Sequence, residues 1–273
     1  MSYKIKQYKD KNFETKMDMI SFIKKNKEEM MSIKKAEYKT KAEIEIKSDL
    51  VVKKYEGLIE DITGDYMLVK TLINSTNVID SHLDLHFKET WNKTVKDNPF
   101  STHLQSHNAD FNYLISSKAK NYNEEMNFKD LGLNIDMLFN ANINEFVLRR
   151  KTLPLMFDKY KNGEVNQHSV GMLYVNLELF MADEDDEKAM QDFNEVLKKA
   201  INPEIALDYG MVWGVKEAKK REGSAVVFAS NSITPTLFVK NYEPSQGTRK
   251  DLFIEPSKDT QESIQSFYKK LLN

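Results

Sequence analysis

The stretch Asn162-Gly163-Glu164-Val165-Asn166-Gln167-His168-Ser169-Val170-Gly171-Met172-Leu173-Tyr174-Val175-Asn176-Leu177-Glu178-Leu179 reads as the end of a helix, a glycine stop and then a strand. Glycine just past a helical run is a common C-terminal signal, and Val, Leu and Tyr in short succession favour extended backbone. Outward from this point, strand-like runs recur at 58–59, 67–69, 133–139, 209–215 and 224–229, with a further alternation at Glu43-Ile44-Glu45-Ile46 and Val51-Val52. Helical spacing is expected at 13–36, 87–96, 143–161 and 186–200. Strands dominate the middle and helices interrupt them irregularly. That order favours an α+β fold, an antiparallel core or barrel, over repeating βαβ units.

The chain has 273 residues, 40 Lys plus Arg against 42 Asp plus Glu, and no cysteine. A disulfide framework, a thiolate zinc site and a cysteine nucleophile are thereby excluded. Near-neutral charge speaks against a dedicated nucleic-acid binder. No apolar run approaches the roughly 20 residues of a membrane span, and the lysine-rich start does not resemble a secretory signal. A soluble, intracellular protein without membrane partners is expected. Charge is unevenly laid out: residues 1–41 hold twelve lysines and six acids, and an acidic run stands at Asp183-Glu184-Asp185-Asp186-Glu187. The expected organisation is a basic amphipathic helical arm at 1–44, a body at 45–242 with an acidic helical insertion at 181–208, and a C-terminal strap at 243–273 ending in a short helix at 257–272.

Chemistry must draw on five histidines, His82, His86, His103, His107 and His168. On a strand, His82, Asp84 and His86 would share a face and could ligate a divalent ion; a polar turn before a helix near Phe87 is the plainer reading. His103 and His107 lie in one segment, and the residues alone do not rank them. Ser169 is flanked by small residues, and Gly171 would let a ligand approach the backbone. A serine there can serve as a nucleophile if a histidine takes its proton. His168, its neighbour, would face the other way on a strand, so His107 or His103 is the better base. Lys219-Lys220-Arg221-Glu222-Gly223-Ser224-Ala225-Val226 leads through an apolar run into an Asn/Ser/Pro turn at 230–235.

In this order the segments resemble the prohead (capsid-maturation) serine proteases of tailed bacteriophages, relatives of herpesvirus assemblin. Asp80 through Asp84 resembles the family's opening Asp-x-x-x-Asp element, with Phe87 to Trp91 as its short helix. His107-Asn108 stands where the family has a His-Asp pair, and Gly132-Leu133 matches its Gly-Leu strand. Ser169-Val170-Gly171-Met172 matches the Ser-(Ile/Val)-Gly-(Phe/Met) strand, and Glu222-Gly223-Ser224-Ala225-Val226 the Glu-x-Ser-x-Val strand. The likeness spans roughly residues 50–240. Two departures stand out: Asn108 replaces the family's Asp, and the acidic insertion lengthens the interval between Ser169 and Glu222.

The resemblance implies an assemblin-like, mainly antiparallel β-barrel core surrounded by helices. It implies Ser169 as nucleophile and His107 as general base. The third member varies within the family, and Glu222 is taken for that role because a carboxylate on the far imidazole nitrogen fixes the tautomer. Backbone N–H groups near Gly171, helped by Arg221 or Lys220, would form the oxyanion site. The implied activity is cofactor-independent endoproteolysis within the assembling head, in the host cytoplasm, with major capsid protein and scaffold as substrates, self-association in the prohead, and autocleavage. Two other readings are a non-catalytic scaffolding or capsid-associated protein on the same fold, and a metal-dependent hydrolase using His82, Asp84 and His86.

Overall fold

The computed structural model describes residues 3–5, 7–36 and 57–244. The chain divides into one unit over Met1–Tyr242 and a second over Glu243–Asn273. The expected alternation at 43–46, Val51-Val52 and the C-terminal helix at 257–272 lie outside the described residues, as does all of the strap beyond residue 244.

Two short strands, β1 (Tyr3–Ile5) and β2 (Tyr8–Phe13), pair as a hairpin. Helices α1 (Lys16–Lys25) and α2 (Lys27–Ala36) follow. The sequence suggested one helix over 13–36. Phe13 instead closes the hairpin, Thr15 caps α1 by accepting from the Asp18 N–H, and Asn26 ends that helix with its N–H on the Phe22 and Ile23 carbonyls. Two helices therefore stand where the apolar spacing ran through.

The next elements are β3 (Leu58–Ile59), β4 (Tyr66–Ser75), β5 (Asp84–His86), α3 (Asn92–Asp97), β6 (Phe100–Gln105) and β7 (Leu114–Asn127). They continue with β8 (Leu138–Arg149), α4 (Pro154–Lys161), β9 (His168–Met181), α5 (Glu187–Leu197), α6 (Pro203–Tyr209), β10 (Met211–Ala225) and β11 (Thr236–Asn241). The fold is thus mixed, with a large sheet and helices against it. Three expectations are corrected. Residues 143–149 are strand, because Asn142, Asn144, Phe146 and Leu148 place every second side chain inward while Val147 and Arg149 stay out; helix begins only at Pro154, whose missing N–H suits a first turn. Residues 133–137 precede the strand rather than form it. The separate runs at 209–215 and 224–229 join into one strand that ends at Ala225.

The main sheet has the order β3-β11-β4-β8-β7-β6-β10-β5, with β9 also on β10. This path is open: the described strands do not close into a barrel. β10 is its branch point. One side pairs antiparallel with β9 along nearly its whole length. The other side pairs parallel with two short strands in succession, β5 at Trp213–Val215 and β6 at Glu222–Ala225.

The largest apolar cluster joins the N-terminal elements to β9, β10, α5 and α6 through Ile5, Met19, Ile23, Met30, Phe193 and Trp213, all buried. The N-terminal segment expected as an arm is therefore part of the body. Lys34 of α2 is 1% exposed and reaches Asp84 Oδ1 at 2.6 Å. Lys24 meets the acidic stretch through Asp183 at 2.7 Å. Among the described residues no helix is long and apolar enough to cross a membrane.

Candidate active site

Paired strands put chemistry on one face. In the β9–β10 ladder Ser169 faces Ser224 and Gly171 faces Glu222. Cross-strand partners share a face, as do residues two apart, so Ser169, Gly171, Glu222 and Ser224 all present to the same side. Gly171 adds no side chain on that face. Ser169 is 8% exposed and its hydroxyl makes no hydrogen bond to any described residue.

β6 delivers the histidine. It runs parallel to the end of β10, with Gln105 beside Ala225. The chain then reverses at once: Ser106 and His107 both have positive φ, 53° and 57°, and Asn108 N–H donates to Gln105 O at 3.0 Å. Two successive non-glycine residues in the left-handed region cost roughly 1–2 kcal/mol each, and such strain persists only where the surroundings fix it. Here the Ser106 N–H donates to Ala225 O at 2.8 Å, and the His107 N–H donates to Ser224 Oγ at 3.2 Å. The turn folds the His107 ring back over β10, where Nδ1 lies 2.7 Å from Glu222 Oε1. An ionised carboxylate only accepts, so Nδ1 carries the hydrogen and Nε2 of the neutral ring is left as a base. The second Glu222 oxygen accepts from Ser224 Oγ at 2.7 Å. The side chains of His107 and Glu222 are each 6% exposed.

A second polar layer lies beneath. Lys220 is buried, and its three ammonium hydrogens meet the Oδ1 atoms of Asn121, Asn142 and Asn144 at 3.0, 2.7 and 2.6 Å. Burial pushes its pKa down to about 7, opposed by the nearby Glu222 charge. Asn144 Nδ2 donates to His103 Nδ1 at 3.1 Å. Tyr160 Oη lies 3.3 Å from both His103 Nε2 and His168 Nε2, and His168 Nδ1 donates to Thr234 O at 2.9 Å. Burial, with the charges of His168, Lys220 and His107, holds His103 well below its usual range. Burial likewise takes His168 down to about 4 against the raising effect of its Thr234 hydrogen bond. Both rings are therefore neutral, and burial pushes the Tyr160 phenol up so that it stays protonated.

The residues singled out from sequence sort clearly. His107 and Glu222 are brought together, and Ser169 lies on the same face. His103 is removed from contention as a base by its burial in the lower layer, and His168 lies on the far face from Ser169, as alternation required. Lys220 is corrected as an oxyanion helper: its three donors are all engaged by asparagines inside the sheet. Arg221 sits in the bulge between Lys220 and Glu222 and is exposed. His82, Asp84 and His86 do not assemble as a ligand set. The Asp84 carboxylate is held by Lys34 and by Tyr174 Oη, and the His86 ring stacks on Trp91 at 5.3 Å. Among the described residues no group of three His, Asp or Glu side chains is placed to hold a metal.

Sequence reasoning passed over the role of Ser224 and the asparagine layer. The signal for the latter was visible: Asn140, Asn142 and Asn144 recur at period two within an apolar strand, which demands a buried polar partner. No protein-family model matches this chain, and neither a curated protein nor a solved structure does so.

Proposed function

We propose that this protein is a serine endopeptidase of the prohead-maturation type. The observation that carries the reading is the His107–Glu222 hydrogen bond of 2.7 Å, made on the sheet face where Ser169 also lies, its hydroxyl unbonded among the described residues. Ser169 Oγ attacks a peptide carbonyl carbon as its proton passes to His107 Nε2. The imidazolium, stabilised by Glu222, returns that proton to the leaving amine nitrogen, and the C–N bond breaks. Water, deprotonated by the same Nε2, then cleaves the acyl–serine ester. The resemblance supplies the context: an assemblin-like barrel type of core, action inside the viral prohead, and capsid and scaffold segments as substrates.

The test is covalent. A fluorophosphonate probe, followed by peptide mass mapping, is expected to mark Ser169 in the wild type and nothing in Ser169→Ala or His107→Gln. Co-expression with the candidate capsid protein should give trimmed products by intact mass, and S169A should give none. Full processing by S169A would overturn the nucleophile assignment. A folded wild type that neither takes label nor processes capsid protein would instead favour the non-catalytic scaffolding reading.

A further inference from the structure

We infer that Ser224 is a positioning residue for the His107–Glu222 pair, an assignment that rests on the hydrolase reading for its catalytic consequence but not for its geometry. Two serines face each other across the β9–β10 ladder, and they are unlike. Ser169 keeps 8% of its surface exposed, and its hydroxyl is unbonded among the described residues. Ser224 is fully buried, and its hydroxyl is used in both directions: it donates to Glu222 Oε2 at 2.7 Å and accepts the His107 N–H at 3.2 Å. With the Nδ1–Oε1 bond of 2.7 Å, these contacts close a ring that runs from the His107 backbone through Ser224 and Glu222 to the His107 imidazole.

Each link removes a freedom the chemistry cannot tolerate. The terminal torsion of a glutamate is broad and roughly two-fold, so one anchor at Oε1 leaves the carboxylate plane free to turn. The second anchor at Oε2 fixes it. The backbone link holds His107 in its left-handed conformation, which sets where the ring starts. Together they keep the hydrogen on Nδ1 and the basic lone pair on Nε2. A serine two residues from Glu222 is suited to this because it shares the carboxylate's face and offers a donor and an acceptor on one short side chain.

The experiment compares wild type, Ser224→Ala and Ser224→Thr, each checked for cooperative thermal unfolding. The first readout is the second-order rate of Ser169 modification by the fluorophosphonate. The second is the His107 tautomer from imidazole nitrogen chemical shifts in uniformly labelled protein at a pH where the ring is neutral. In S224A the rate is expected to fall about ten- to a hundred-fold, the scale of a small misplacement of catalytic groups, and the Nδ1–H tautomer is expected to give way to a mixture. S224T, which keeps the hydroxyl, should restore both. A folded S224A with an unchanged His107 tautomer would overturn the proposal, whatever its labelling rate. If the wild type takes no label while S224A still scrambles the tautomer, the positioning role stands and the hydrolase reading falls.

Discussion

His168 and Ser169 are neighbours in the chain and occupy opposite faces of one strand, so one imidazole of the pair of buried rings never meets the candidate nucleophile. Its burial has a measurable consequence of another kind. The His168 pKa is about 4 in the folded protein against an ordinary value near 6.5, so the unfolded chain binds the extra proton between those pH values. Stability from this group is therefore fully present above about pH 6.5 and is lost as pH falls toward 4, to a limit of about 3 kcal/mol. Lys220 adds a slope of the same sign at higher pH, since its folded pKa of about 7 lies below the usual 10.5. Stability should rise again from about pH 7 toward 10.5. Urea midpoints measured from pH 4 to 9 check both limbs. His168→Gln should flatten the acidic limb relative to wild type, and an unaltered acidic slope would show that another group governs it.

β10 is the element on which the two polar layers meet, with Glu222 and Ser224 on one face and Gly223 between them on the other. A Cβ at Gly223 would stand 2.6 Å from Asn144 Nδ2 and 3.0 Å from Ile73 Cδ1. Gly223→Ala should therefore force β10 away from the asparagine layer, at a cost of about 1–3 kcal/mol, read as a lower urea midpoint with the site face otherwise unsubstituted. How far this element was legible follows from its composition. Its apolar ends, Met211–Val215 and Ser224-Ala225, read as strand, but Lys216 to Glu222 holds six charged residues and carries no strand signal. The backbone continues through them because Ala218, Lys220 and Glu222 turn inward and find partners supplied by β7, β8 and the His107 turn. Those partners are distant in sequence, so no local pattern announces them. β8 was misread for the same reason: its buried asparagines carry no apolar period. The motif around Ser169 was legible because glycine, small residues and a strand signal are local. The left-handed turn at Ser106-His107 was not, since neither residue type asks for that conformation.

The whole molecule depends on its first 36 residues more than their charge suggests. Ile5, Met19, Ile20, Ile23 and Met30 are buried, and burial of side chains of this size contributes about 1.5–3 kcal/mol each. Their sum is comparable with the entire stability of an ordinary domain. Lys34 is also the ion-pair partner of Asp84 within that core, and breaking such a buried pair from one side costs about 3–5 kcal/mol. Deletion of residues 1–36 should abolish cooperative thermal unfolding and the near-ultraviolet circular dichroism of the two buried tryptophans, Trp91 and Trp213. Lys34→Met alone should lower stability by the ion-pair figure while leaving the fold in place. Retention of a sharp transition by the deleted chain would mean that the remaining strands form a sufficient core by themselves.

The double parallel pairing of β10 also sets a clock. His107 and Glu222 are 115 residues apart in the chain, and β5 and β6 must both wait for a strand that is not complete until residue 225. Contacts between such remote segments form slowly because the intervening loop must close before they yield any free energy. Helices and the β7–β8 hairpin can appear early; the imidazole–carboxylate couple cannot. In a refolding experiment the far-ultraviolet signal should therefore recover before Ser169 becomes reactive. During synthesis Ser169 therefore precedes the completion of β10 at residue 225, and the His107–Glu222 pair is not assembled until nearly the whole body has been made.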